Sequence, residues 1–199
     1  MSHPAPLSDP AEIVRRRALL ASPHMVPLAD YCAGLRGPGR EVPDLDPADG
    51  GVGAVLLLLL EKPGPKTSHA RGGTGFVSFD NPDPTARASR QFADEAGIER
   101  RTRAVWNVCP WWNGTIKFGA REGRAGLEEL PSFLDLLPQL RVGICVGGQA
   151  RKATPLLEKR GLRVFTSAHP SGQVRAANPA LWNAIPAIWK DARLALDQS

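Results

Sequence analysis

The chain has 199 residues, and lysine plus arginine outnumber the acids by 25 to 20, for a formal charge of +5 and a pI near 9.5. That length supports one ordinary domain with little room for a second, and 42% apolar with 23% charged residues excludes a disordered or fibrous class. Of the 25 cations 19 are arginine, the cation suited to bidentate phosphate recognition, so a polyanionic partner stands beside the plainer reading of a basic soluble protein.

Cys32, Cys109 and Cys145 show no C-x-x-C spacing. An odd, scattered set argues against a disulfide framework or a four-cysteine metal site. The longest apolar run, Ala54 to Leu60, is too short to span a bilayer. It lies mid-chain, where no signal peptide would sit, and a reducing cytoplasm is the expected location.

In chain order, two helices are predicted over Pro10 to Ala21 and Val26 to Ala33, followed by a Gly/Pro-rich stretch from Gly34 to Gly53. The run Val52 to Glu61 is short, unalternating and ended by Lys62-Pro63-Gly64-Pro65, the pattern of a strand buried on both faces. Pro84 to Ala96 reads as a helix stopped by Gly97, with an N-cap at Thr85. A strand over Ala104 to Val108 and a helix over Leu127 to Leu137 come next, then a strand over Val142 to Val146. Gln149 to Arg160 is helical, Arg163 to Ser167 a strand, and Pro179 to Leu196 a long amphipathic helix with a possible kink at Pro186. Strands alternating with helices imply an α/β fold with a four-stranded parallel sheet covered on both faces. The expected organisation is a single domain over residues 1–199, with residues 1–50 a helical extension packed on the core.

Ligands of such sheets bind beyond the carboxyl ends of the strands. Those ends carry Glu61-Lys62-Pro63-Gly64-Pro65, Trp106-Asn107-Val108-Cys109-Pro110-Trp111-Trp112, Gly147-Gly148-Gln149 and Ser167-Ala168-His169-Pro170-Ser171-Gly172, with a loop Gly72 to Asn81 between the first two. An acid, an amide, an imidazole and an aromatic would converge on one rim.

At these positions the sequence resembles the uracil-DNA glycosylase superfamily. The matching pieces are Glu61-x-Pro63-Gly64, Gly75-Phe76-Val77-Ser78, Trp106-Asn107-x-x-Pro110-Trp111 and His169-Pro170-Ser171, in the family's order over residues 52–175. The resemblance implies a three-layer α/β/α sandwich and an enzyme that flips a nucleotide from DNA and hydrolyses its N-glycosidic bond. Under it, Phe76 stacks on the extruded base, Asn107 reads the base edge, and His169 donates to the charge left on the departing base. Ser171 would bond a DNA phosphate, Gly172-Gln173-Val174-Arg175 would wedge into the minor groove, and Gly147 and Gly148 would offer free N–H groups to a phosphate. Lys66, Ser68, His69 and Arg175 are further expected DNA contacts. Arg15-Arg16-Arg17 is expected to be the solvated face of the first helix.

For the water-activating carboxylate, some classes of the family place an acid two positions before the loop proline, where Glu61 stands, although the preceding glycine of that pattern is Leu60 here. Others place the group directly before proline, where this chain has Lys62, or shortly after the stacking aromatic, where Asp80 stands. Glu61 is favoured over Asp80, and Asp83 is a weaker version of the second idea. Strict uracil enzymes carry a bulky tyrosine after the loop proline; Gly64 there removes the wall against pyrimidine C5 substituents, unless Trp111, Trp112 or Tyr31 closes the gap. Three cysteines cannot supply the iron–sulfur cluster of some classes, and the hydrolysis calls for no metal or other cofactor. The expected partner is DNA, single- or double-stranded, with no membrane and the chain a monomer. Four readings stay open: a monofunctional glycosylase for a deaminated or modified base, one for bulky C5-modified phage pyrimidines in anti-phage defence, a non-catalytic nucleic-acid-binding module, and a nucleotide hydrolase.

Overall fold

A computed structural model describes residues 6–198 of the chain. The first five residues and Ser199 of the expected domain lie outside the described residues. Two helices open it, α1 (Pro10–Leu19) and α2 (Val26–Leu35). Asp9 caps α1 by accepting the Ala11 N–H at 2.9 Å, with Pro10 at the first helical position.

The main sheet has four parallel strands: β2 (Leu56–Leu60), β4 (Arg103–Asn107), β5 (Val142–Val146) and β6 (Arg163–Ser167), in the order β4-β2-β5-β6. This is the α/β fold that the alternating pattern predicts. Leu56 to Leu59 have no solvent exposure, as a strand covered on both faces requires. A second, two-residue parallel pairing joins β1 (Asp44–Leu45) to β3 (Phe76–Val77). It lay in stretches read as loop, because a two-residue strand carries no periodicity.

Right-handed crossovers assign the helices to faces. The step from β2 to β4 runs through α3 (Pro84–Glu95), whereas β4 to β5 returns across the sheet through α4 (Ala120–Asp135) and β5 to β6 continues through α5 (Thr154–Lys159). Opposite directions of travel put α3 on one face and α4 and α5 on the other. The last long helix, α7 (Pro179–Ala195), packs on α3, β5 and β6 and joins the α3 face. Aromatic contacts agree: Phe92 of α3 meets Trp182 edge-on at 5.1 Å, while Trp106 of β4 stacks on Phe133 of α4 at 5.1 Å with Tyr31 of α2 beside both.

Three sequence expectations are corrected. Helix α4 begins at Ala120 rather than Leu127, because Gly123 and Gly126 weaken the helical signal while the tertiary fold needs them bare. The predicted helix over residues 149–160 is a 3₁₀ segment, Ala150–Ala153, followed by α5. Arg16 is not solvated: it has no solvent exposure and sits in an ionic cluster. Its guanidinium bonds Glu12 at 2.7 Å, Asp46, and Asp80 at 2.7 Å, and Arg100 reaches Asp80 at 2.5 Å and Asp46 at 2.8 Å. Arg103 meets Asp49 at 3.2 Å beside them. The cluster ties α1 to the segment before β2, the loop after β3 and the turn before β4.

Candidate active site

The site grows from strand register. Leu60 and Asn107 are partners at the carboxyl ends of β2 and β4, and the pairing continues past both strands through Val108 N–H to Leu60 C=O at 2.9 Å and Cys109 N–H to Glu61 C=O at 3.0 Å. Side chains alternate along a strand, so Asn107 shares a face with Arg103, whose guanidinium lies 4.8 Å over the Phe79 ring on the α3 side. There a cavity of about 350 Å³ opens, within the range of ligand pockets. Leu60, Pro63, Gly64, Phe79, Asn107 and His169 line it, as do Asp83 and Lys66.

Asn107 is 2% exposed, lines the cavity and gives its side-chain amide to no partner among the described residues. Its side-chain carbonyl oxygen and two donor hydrogens are open to whatever occupies the cavity, solvent or ligand. The His169 imidazole also has no hydrogen bond among the described residues. Burial holds its pKa below the ordinary value, against the opposing pull of the Glu61 and Asp83 carboxylates, so the ring is neutral at pH 7. Asp83 caps α3 with one carboxylate oxygen, accepting the Ala86 N–H at 2.9 Å, and Pro84 follows at the first helical position. The cap is therefore Asp83 and not Thr85, and the Asp-Pro pair was the signal that could have identified it.

Gly64 lines the cavity, and a Cβ built on it would meet nothing within 4 Å. None of Trp111, Trp112 or Tyr31 is among the cavity-lining residues. The Trp111 ring lies under Arg40 at 4.4 Å, and Tyr31 packs in the core against Trp106 and Phe133. Lys62 lines the cavity, with its ammonium bound to three acceptors: it donates to Asn113 Oδ1 at 2.7 Å, Glu122 Oε1 at 2.8 Å and the Lys117 carbonyl at 3.0 Å. Burial would raise the Glu122 pKa, but the hydrogen bond from Lys62, the Gly119 N–H and the Lys62 charge together hold the carboxyl low.

Other expected site residues stand elsewhere. Phe76 is buried and does not line the cavity; alternation in β3 turns Val77 to it instead, and Phe79 supplies the aromatic wall. Asp80 is spent in the ionic cluster, where burial would raise its pKa but Arg100 and Arg16 together hold it down. It lines a different, smaller hollow of about 150 Å³. Glu61, one residue past Leu60, is not among the cavity-lining residues; its Oε1 accepts the Gln149 N–H at 2.9 Å, and its charge reaches the His169 ring. That bond takes an N–H at the turn where Gly147 and Gly148 were expected to hold a phosphate.

Of the expected DNA contacts, Lys66 is exposed at the rim of the cavity. Ser68 is buried, its hydroxyl donating to Glu41 at 2.6 Å, and the His69 ring rests on the Arg17 guanidinium. Ser171 accepts the Val174 N–H at 3.3 Å as the cap of a short helix, α6 (Gly172–Ala177), in place of an open wedge loop. On α6, Gln173 and Arg175 are exposed, Val174 is half-buried, and the Arg175 guanidinium lies 5.7 Å over Trp182. A second hollow of about 490 Å³ continues from the 65–71 segment, lined by Arg36, Arg40, Arg71 and Trp112. The three cysteines are buried, and burial raises their thiols to about 11 or 12. Among the described residues no group of three His, Cys, Asp or Glu side chains is placed to hold a metal ion, and no helix is long and apolar enough to cross a membrane.

No protein-family model and no curated protein matches the chain. A solution NMR structure from Methanosarcina acetivorans, provisionally assigned as a uracil DNA glycosylase, is similar to it at 18% identity, covering 71% of this chain and 94% of that one with a TM-score of 0.45.

Proposed function

We propose that the chain is a monofunctional DNA glycosylase that takes a deaminated or modified pyrimidine out of DNA and hydrolyses its N-glycosidic bond. The observation that carries this reading is the unspent amide of Asn107 in the same cavity as a neutral, unbonded His169. An Asn side chain matches the paired donor and acceptor of a pyrimidine edge, and the Phe79 wall offers the apolar surface an extruded base needs. Cleavage leaves negative charge on the base, and a ring N–H aimed at its carbonyl oxygen stabilises that charge in a water-poor site. The binding of the Lys62 ammonium to three acceptors favours water over an amine as the nucleophile. Lys66 at the rim and the arginines of the second hollow offer a path for the strand's phosphates.

Uracil is the first substrate to test. The open position at Gly64 favours a second reading on its own, excision of pyrimidines with bulky C5 groups. End-labelled DNAs carrying uracil, a thymine mismatch, 5-hydroxymethylcytosine or its glucosylated form, followed by alkaline cleavage of abasic sites, separate the two. Asn107→Ala and His169→Ala should each lower excision by roughly 100-fold or more, the usual loss for an aimed donor. Cleavage of none of these DNAs, with DNA binding intact, would make the chain a non-catalytic binding module.

A further inference from the structure

The four acids considered around the cavity differ in what their oxygens already do. Asp80 is bound by Arg16 and Arg100, and Asp46 by Arg16, Arg100 and the Ser78 hydroxyl. Glu61 does not line the cavity, although its charge reaches the His169 ring; its Oε1 accepts the Gln149 N–H and lies so close to Gly147 that a Cβ there would come within 2.5 Å of it. Gly147 has φ +100°, so conformation and the Glu61 contact both demand glycine, and the pair is a built turn. Asp83 is the acid that lines the cavity. One of its oxygens caps α3, the second has no partner among the described residues, and its carboxylate acts on the His169 ring together with that of Glu61.

We infer that Asp83 is the catalytic carboxylate that holds the attacking water, and that Glu61 is a positioning residue for the 147–149 turn. This inference rests on the glycosylase reading. The cap fixes the Asp83 side chain at the start of a twelve-residue helix, leaving the second oxygen fixed in direction. The free oxygen accepts a hydrogen bond from water and takes its proton as the water oxygen bonds to C1′ of the deoxyribose. The C1′–N bond breaks, its electron pair leaves on the base, and the His169 N–H donates to the resulting anion. The products are an abasic sugar and a base that takes its proton from Asp83 or solvent, so that atoms and charge balance with water as the sole co-reactant.

The test compares Asp83→Asn with Glu61→Gln in the full chain, on single-stranded oligonucleotides carrying one uracil or one 5-hydroxymethylcytosine. Asn caps a helix as well as Asp, so Asp83→Asn should fold with an unchanged melting temperature. Its affinity for a strand carrying non-cleavable 2′-fluoro-2′-deoxyuridine should stay within about threefold of wild type, while its single-turnover excision rate falls by about 100-fold or more, the usual range for a general base. Glu61→Gln, which keeps an oxygen for Gln149, should retain the rate within about tenfold. An Asp83→Asn protein excising at the wild-type rate, or a Glu61→Gln protein with the larger loss, would overturn the assignment and leave the glycosylase reading standing. A wild-type protein that binds the fluorinated strand and cleaves neither base would overturn both.

Discussion

At His169 an unbonded ring in a partly buried site feels the charges of the Glu61 and Asp83 carboxylates. Burial lowers the folded pKa below the 6.5 of the unfolded chain, so as pH falls below 6.5 the unfolded state takes up the proton first. Stability that is full above pH 6.5 should decline as pH drops toward the folded value. His69 has the same sign, and Asp49, raised by burial to about 6, has the opposite one between 3.8 and 6. Denaturant unfolding at pH 7 and pH 5 should therefore show a smaller loss in His169→Asn than in wild type, the difference isolating His169. Equal losses would mean that the ring is solvated. His169 and Asn107 were legible in the sequence because each directly follows, or ends, a readable strand. Asp83 was only a weak candidate because an Asp in Asp-Asn-Pro-Asp-Pro also makes an ordinary turn or cap.

Helix α4 shows how an element can be set by one close approach. A Cβ on Gly126 would come within 2.2 Å of the Val108 carbonyl oxygen, at the start of the loop that follows Asn107. In an exposed helix, glycine to alanine stabilises by about 1 kcal/mol. Here overpacking, which costs about 1–3 kcal/mol, should win because backbone cannot yield as a side chain does. Gly126→Ala should thus lower the urea midpoint and displace the Val108 loop; a raised midpoint would show that α4 can move off the sheet. The strands β5 and β6 match their predicted bounds: β5 is a fully buried, largely apolar run, and the short, half-buried β6 is set off by the turn residues Gly161 before it and Pro170 after it. The start of α4 and the whole of α6 escaped notice, because glycines and exposed polar residues suppress the helical period that packing and a cap restore.

Across the molecule, the buried ionic cluster joins segments far apart in sequence: Arg16, Asp46, Asp80 and Arg100. It stands behind the loop that carries Phe79, and Ser78 bonds Asp46 there. Removing one partner of a buried pair leaves an uncompensated charge and costs about 3–5 kcal/mol, so Arg16→Met should lower the melting temperature markedly. Arg15→Met, whose side chain is half-exposed, should lower it little; similar shifts for both would mean that the cluster is not cooperative. The α/β pattern, the strand ends and the open glycine after the loop proline were determined by the sequence alone, because hydrophobic period and turn residues act over a few neighbours. Which acid faces the cavity, which aromatic walls it, and whether an arginine is solvated or buried were decided by the tertiary structure. Those outcomes depend on strand parity and on partners dozens of residues away, and local sequence contains no record of either.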